Sequence, residues 1–188
     1  MKVLRVINSM GIGGAERSLV NNVPVHVRNG YDMEVLLLDG TRTFFLDELQ
    51  NSGVKVRWLG RSLNVYDPLL VFRLLSVFKR YDLIHVHLFP AFYWVAFARI
   101  LSRARTRLVY TEHNTHNRRR DSALFKWLDR LAYSQYAKVI AISEPTKQLL
   151  DAHTGTPGKS VVIPNGVHIE KLMASTGRLP EDWQSRLQ

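Results

Sequence analysis

Short apolar runs of about four to six residues recur along this chain, and the segments between them carry apolar residues at helical spacing. The runs Val35-Leu36-Leu37-Leu38 and Val139-Ile140-Ala141-Ile142 are apolar on both faces of a strand, as a sheet covered on both sides requires. This alternation predicts an α/β fold, a Rossmann-like doubly wound parallel sheet of about seven strands with helices on both faces. Strands are predicted at 3–7, 33–38, 54–58, 83–87, 108–111, 138–142 and 161–163, and helices at 15–28, 43–51, 68–79, 90–102, 122–135 and 144–152.

Polar, hydrogen-bonding residues follow the predicted strands at the points where they end. Parallel strands place their carboxyl ends at one edge of the sheet, which is where such sheets bind ligands. The sequence therefore predicts a ligand-binding crevice at that edge. The residues concerned are His85 and His87, Glu112, His113, Asn114 and His116, Ser143 and Glu144, and Asn165 and Gly166.

A glycine-rich segment, Gly11-Ile12-Gly13-Gly14, lies between the first predicted strand and the first predicted helix. Glycine lacks a Cβ atom, so the backbone can approach a ligand closely, and the helix directs its N–H groups at the same place. This arrangement predicts an anion site, usually for phosphate, and the alternative is a flexible loop that binds nothing. The dinucleotide-binding fingerprint is matched only in part, because Glu16 replaces its third glycine, although Asp39 can serve as the ribose carboxylate.

The composition of the 188 residues is that of an ordinary globular protein, with 46% hydrophobic and 22% charged residues. Cysteine is absent, which excludes disulfides and thiolate metal sites and fits a reducing compartment. The longest apolar run, 88–98, is much shorter than the about 20 residues that cross a bilayer. No signal peptide is visible, and we therefore expect a cytoplasmic protein.

The net charge of +10 is concentrated in one stretch, where nine arginines and lysines lie between Arg99 and Arg130 against three acidic residues. This imbalance predicts an anionic partner, and a nucleic acid is not expected. The predicted helix 122–135 can lie on an anionic membrane at its inner face, or it can simply cover the sheet beneath a solvated basic surface. Its apolar stripe comprises Leu124, Phe125, Leu128, Leu131 and Ala132, and its basic and aromatic flank comprises Lys126, Trp127 and Arg130.

The histidines admit two interpretations. His85 and His87 lie on the same face of a strand, so they can share a metal ion or form hydrogen bonds at the strand end, and the second is favoured. No H-E-x-x-H or D-x-D motif is present. His113 follows a strand directly and can donate a hydrogen bond to a substrate or to a neighbouring loop carbonyl. Ser143 is predicted to cap the helix that begins at Glu144.

Five motifs in this order resemble the N-terminal domain of GT-B fold retaining glycosyltransferases of the family 4 type. The resemblance covers almost the whole chain and implies a metal-independent enzyme whose cleft lies between two Rossmann-like halves. It implies that residues 1–168 form the acceptor-side domain, that 169–188 begin the interdomain linker, and that a C-terminal donor-binding domain is missing. The motifs are Gly11-Ile12-Gly13-Gly14-Ala15-Glu16, Asp82-Leu83-Ile84-His85-Val86-His87, Thr111-Glu112-His113, Ile142-Ser143-Glu144 with Lys147, and Val162-Ile163-Pro164-Asn165-Gly166-Val167.

The resemblance also implies roles for individual residues in sugar transfer from a nucleotide-sugar co-substrate. His113 is the catalytic residue that contacts the sugar. Asn114 and His168 stand where the family often has aspartate. Residues implied to bind substrate are Gly13 and Gly14, which line the cleft, Glu16, which faces the acceptor, and His87, Asn114, Ser143 and Asn165.

Two other functions compete with this one. The first is a nucleotide-binding Rossmann module that uses Gly11, Gly13 and Asp39. The second is a non-catalytic subunit that docks a partner transferase on an anionic membrane through its basic stretch.

Overall fold

The computed structural model describes residues 1–113, 123–154 and 158–166, which form seven strands and six α-helices. Helices and strands alternate as predicted. The strands are β1 (Lys2–Ile7), β2 (Asp32–Leu37), β3 (Lys55–Trp58), β4 (Leu83–His87), β5 (Arg107–Glu112), β6 (Lys138–Ala141) and β7 (Ser160–Val162). The helices are α1 (Gly14–Arg28), α2 (Phe44–Asn51), α3 (Leu70–Leu74), α4 (Ala91–Ser102), α5 (Ala123–Ser134) and α6 (Glu144–Thr154).

The seven strands form one parallel sheet in the order β3-β2-β1-β4-β5-β6-β7. The strand order changes direction at β1, which pairs with β2 on one side and with β4 on the other. The carboxyl ends of strands on either side of such a switch point form a crevice. The predicted Rossmann-like fold is confirmed.

Helices cover both faces of the sheet. Alternate residues of a strand point to opposite faces, so each apolar strand contributes side chains to the core on either side. Val3 and Ile7 of β1 belong to a core that includes buried residues of α1 and α2. Leu4 and Val6 belong to a second core, to which α3, α4, α5 and α6 contribute. Arg5 shares the side of Val3 and Ile7, so it is a charged residue in the middle of the central strand.

The second core is built around Phe92, which is 1% exposed. Four tyrosine rings surround it, at centroid distances of 5.3 Å for Tyr93, 4.5 Å for Tyr110, 4.5 Å for Tyr133 and 5.1 Å for Tyr136. The Tyr136 hydroxyl donates to the backbone carbonyl of Phe92 at 2.7 Å. These rings, which we call the aromatic cluster, pack α4, α5 and β5 against one another.

The predicted helix at 68–79 is wrong in its length. The structure has α3 over only five residues and a separate 3-10 helix at Phe78–Arg80. Hydrogen bonds of the tighter type join the two, for example from the Val77 N–H to the Leu74 carbonyl at 3.0 Å. Ser76 and Val77 are poor helix formers, and the tighter turns still bury Phe78.

The apolar stripe predicted for α5 needs one correction. Phe125 and Leu128 pack against the second core and Ala132 is buried, but Leu124 is 63% exposed. Residues three apart share a face of a helix, so Leu124 joins Trp127, which is 61% exposed, on the outer side. Within the described ranges, no helix combines the length and apolar character needed to cross a membrane.

Candidate functional site

The candidate site lies at the carboxyl edge of the sheet, around the ends of β1, β4 and β5. In the register of these strands Arg5 is level with His85, and His87 is level with Thr111. The glycine loop continues from β1 into α1, and His113 follows the last residue of β5. Two of the predicted features therefore meet at one edge.

The glycine loop is shaped by Glu16. Gly13 is the N-terminal cap residue of α1 and has an extended backbone, so a positive φ is not the reason for glycine here. A Cβ atom at Gly13 would collide with the Glu16 carboxylate, which folds back over the loop. A Cβ atom at Gly14 would meet no atom of the described residues within 4 Å. The side of the loop at Gly14 is thus open, whereas the side at Gly13 is filled by the chain itself.

The Glu16 carboxyl group is half-buried in this position. Burial raises its pKa, and a hydrogen bond to its own backbone N–H opposes that shift. The carboxylate lies at the N-terminus of α1, where the helix carries partial positive charge. Glu16 therefore already neutralises part of the anion site that the sequence predicts, and a ligand must use the open side of the loop.

A row of buried and partly buried polar side chains joins β1, β4 and β5 on one face of the sheet. Arg5 Nη1 lies 2.5 Å from His85 Nδ1 and 3.3 Å from His87 Nε2. His85 Nε2 lies 2.7 Å from Thr111 Oγ1. His87 Nδ1 lies 3.2 Å from His113 Nε2. We call these five residues the histidine network; its two strand histidines stack at a centroid distance of 4.4 Å.

The histidines of this network are kept neutral by burial. Burial lowers the pKa of His113 to about 4. Burial, together with the positive charge of Arg5 and the neighbouring histidines, holds the pKa values of His85 and His87 well below the ordinary value. Burial also lowers the pKa of Arg5 to about 10, which leaves its guanidinium charged at neutral pH.

Asn8 connects the first loop to the end of β4. Its side-chain amide donates to the Phe89 carbonyl at 2.7 Å and accepts from the Ala91 N–H at 3.1 Å. Between β4 and α4, Leu88 takes a φ of +63°, which is rare for a bulky side chain. Asn8 thereby fixes the two loops that flank the switch point.

The other predicted site residues have local roles or lie apart. Ser143 caps α6, accepting a hydrogen bond from the Thr146 N–H at 3.4 Å, as predicted. Asn165 follows β7 and is exposed. Asn114 lies outside the described residues. Asp39 Oδ1 accepts hydrogen bonds from Thr41 and Leu63, so this oxygen stabilises a turn.

The hydrogen-bonding interpretation of His85 and His87 is confirmed by the contacts of both rings. In the part of the chain that the structure describes, no three histidines, aspartates or glutamates are grouped so as to hold a metal ion.

The sequence interpretation missed two residues that form hydrogen bonds in the candidate site, Arg5 and Asn8. Arg5 carried a signal, because a charge inside the apolar run Val3-Leu4-Arg5-Val6-Ile7 must find partners when the strand is central. Nothing in the sequence indicated the role of Asn8, because its hydrogen-bond partners, Phe89 and Ala91, are about eighty residues away along the chain.

Comparison with known proteins identifies the family of this chain. The model of Glycosyltransferase Family 4 matches residues 12–171, and the chain belongs to that family. The resemblance drawn from the motifs is therefore confirmed. No significant match is found among curated protein sequences.

Several solved structures share the fold, two of them named as glycosyltransferases. HepE of Anabaena, in complex with UDP, is 25% identical, with a TM-score of 0.72 over 90% of this chain and 45% of that one. A glycosyltransferase of Rickettsia africae is 18% identical, with a TM-score of 0.69 over 98% and 48%. The lipopolysaccharide outer core galactosyltransferase WaaB is 16% identical, with a TM-score of 0.64 over 90% and 47%. The chain thus spans about half the length of the structures that it matches.

Proposed function

We propose that this chain is the acceptor-side half of a retaining hexosyltransferase, in which residues 1–168 form the domain and 169–188 begin the linker to a donor-binding domain. The enzyme transfers a sugar from a nucleotide-sugar donor to a lipid, a polysaccharide or a small molecule, at the cytoplasmic side. Membership of family 4 supports this function. HepE, the relative at 25% identity, was solved with UDP and with UDP-glucose.

The observation that carries the proposal is the placement of the open glycine and His113 at one edge. The glycine loop leads from β1 into α1, which begins at Gly14, and His113 directly follows β5. β4 lies between these two strands, so their carboxyl ends are roughly 10 Å apart. A donor whose diphosphate binds at the N-terminus of α1 can then direct its sugar towards His113.

The chemistry of transfer needs stabilisation of a leaving group. The bond between the anomeric carbon and the phosphate oxygen breaks, and the acceptor hydroxyl oxygen bonds to that carbon. The hydroxyl proton passes to the departing phosphate oxygen, while negative charge develops on the diphosphate. Backbone N–H groups of the glycine loop stabilise that charge without a metal ion. His113 holds the sugar and Glu16 faces the acceptor, while His87 supports His113 through its ring contact.

Replacing Gly14 by alanine tests the placement of the donor. We expect the affinity of the complete gene product for its donor, screened among UDP-glucose, UDP-N-acetylglucosamine and GDP-mannose by calorimetry, to fall by about tenfold or more. The added methyl group meets nothing within 4 Å among the described residues, so it should leave the fold intact. The thermal midpoint should therefore not fall, which separates lost binding from lost folding.

Two results would contradict this function. An unchanged donor affinity in Gly14→Ala would show that the donor does not bind at the glycine loop. Tight binding of NAD by the chain would favour the dinucleotide-binding alternative. A Gly13→Ala variant gives a useful comparison, because its methyl group displaces the Glu16 carboxylate and tests the acceptor side instead.

A peripheral membrane position is a second part of the proposal, supported by the outer face of α5. Leu124 and Trp127 are exposed there together with Lys126 and Arg130. An aromatic ring and an aliphatic side chain between basic residues are suited to the interface of an anionic bilayer. In this position the enzyme would bind a lipid-linked acceptor at the membrane surface.

Charge reversal on α5 tests this position. We expect Lys126→Glu/Arg130→Glu to reduce flotation with phosphatidylglycerol vesicles by at least about tenfold, since each basic residue near the surface contributes about 1 kcal/mol. The control is Lys79→Glu/Arg80→Glu, which makes the same change of charge at another exposed pair. Equal losses in both variants would show a general charge effect and contradict a docking role for α5.

A further inference from the structure

The donor and the acceptor of each hydrogen bond in the histidine network can be assigned, because Arg5 can only donate. A guanidinium group carries five N–H donors and no acceptor. Arg5 Nη1 lies within hydrogen-bond distance of a ring nitrogen of His85 and of one of His87. Both of those nitrogens must therefore be unprotonated acceptors.

The state of His85 follows from this constraint. Its Nδ1 accepts from Arg5, so in the neutral ring the proton lies on Nε2. His85 Nε2 then donates to Thr111 Oγ1 at 2.7 Å, and a hydroxyl oxygen accepts such a bond readily. This arm of the network ends on β5 with each hydrogen bond having one donor and one acceptor.

The second arm carries the same constraint to the candidate site. His87 accepts from Arg5 at Nε2, so its proton lies on Nδ1. His87 Nδ1 is 3.2 Å from His113 Nε2, to which it must donate. His113 Nε2 is therefore an acceptor, and the proton of its neutral ring lies on Nδ1.

We propose that Arg5 is a positioning residue that acts through His87 to hold His113 in its Nδ1–H tautomer, so that His113 meets a ligand oxygen as a neutral hydrogen-bond donor. The role at a ligand oxygen rests on the proposed function, whereas the tautomer does not. In this state His113 does not accept a proton from the acceptor hydroxyl. Its contribution is to orient the sugar or to stabilise an oxygen that gains negative charge.

The environment of the network supports this arrangement. Protonation of His113 would place an N–H at Nε2 against the N–H of His87 Nδ1, and two donors would then face each other. The pKa of His113, lowered by burial to about 4, agrees with a ring that stays neutral. His85, His87 and Thr111 are 7%, 3% and 6% exposed, so water has little access to these side chains and cannot readily replace a hydrogen bond that a wrong tautomer would lose.

The test is direct observation of the histidine tautomers by long-range ¹H–¹⁵N correlation spectra of the ¹⁵N-labelled chain. We expect the signals of a protonated Nδ1 and an unprotonated Nε2 for both His87 and His113, and the reverse for His85. In Arg5→Met we expect the Nδ1–H form of His113 to fall from essentially complete to the minor form. Arg5→Lys, which restores a donor and the charge, should recover part of it.

Arg107→Met is the matched control, because it removes an exposed arginine from β5 and leaves the network intact. Protonated Nε2 on His113 in the unmodified chain would overturn the proposal whether or not any variant folds. An unchanged His113 tautomer in a folded Arg5→Met variant would also overturn it. Because this readout needs no donor, failure of nucleotide-sugar binding in the complete gene product would count against the proposed function alone.

Discussion

Acidification from pH 7 to pH 5 should lower the free energy of unfolding by roughly 2 kcal/mol for each histidine of the histidine network. The folded chain keeps His85, His87 and His113 neutral, because burial lowers the pKa of all three. The unfolded chain exposes them to water, where histidine titrates near pH 6.5. Acid therefore favours the unfolded state.

The sign follows from the number of protons bound by each state. Between pH 6.5 and the pKa of about 4 that His113 has in the folded chain, the unfolded state binds a proton that the folded state does not. Stability rises with pH wherever the unfolded state binds more protons. The contribution of His113 is thus complete above pH 6.5 and declines as the pH falls through this window.

Urea denaturation of the chain and of His113→Gln at half-unit intervals from pH 8 to pH 4.5 measures the effect. At pH 8 the two proteins should differ only by the contacts that glutamine cannot make. The difference should shrink on acidification, because the variant lacks one of the titrating groups. A stability that does not change between pH 7 and pH 5 would show that these histidines are already charged, or are solvated, in the folded chain.

Replacing Phe92 by alanine should destabilise the chain by about 3–5 kcal/mol, which is a large part of the stability of an ordinary domain. The ring is buried and contacts tyrosines from α4, β5, α5 and the turn after α5. Its removal leaves a cavity that four large rings cannot easily fill. The hydrogen bond from Tyr136 ends on the backbone carbonyl of Phe92, so the substitution keeps it and the loss reports on packing.

Phe72→Ala is the matched control, because Phe72 is 61% exposed. Its unfolding free energy should lie within about 0.5 kcal/mol of the unmodified chain. Phe92→Leu keeps much of the volume and should lose less than Phe92→Ala. If the alanine variants at 92 and 72 lose equal stability, the aromatic cluster does not have the central role assigned to it.

Most of the fold could be predicted because its signals are local. Apolar runs such as Val35–Leu38 and the helical spacing between them fixed the order of the elements, and the parallel sheet followed from their alternation. The predicted 68–79 helix was wrong because Ser76 and Val77 permit tighter turns, which apolar spacing does not distinguish from an α-helix. Leu124 was predicted on the same apolar stripe as Phe125 and Leu128, but it is exposed, because the apolar pattern does not show how wide a face α5 buries.

The candidate site was predicted in position but not in detail. His87 was identified from its place at the end of β4 and His113 from its place directly after β5, and the structure brings them into contact. The part played by Arg5 could not be predicted, because it depends on the register between β1 and β4, and that register is set by packing of the whole sheet. The folding of Glu16 over Gly13 depends on a rotamer that the sequence does not reveal.

The place of β1 in the sheet has a consequence for synthesis of the chain. Arg5 pairs with His85, eighty positions further on, so β1 acquires its second neighbour only after β4 has been made. Until then one edge of an apolar strand stays unpaired and can associate with other nascent chains. We expect ribosome-associated chaperones to be needed most while residues 30–90 emerge, and slowed translation within this window to increase aggregation.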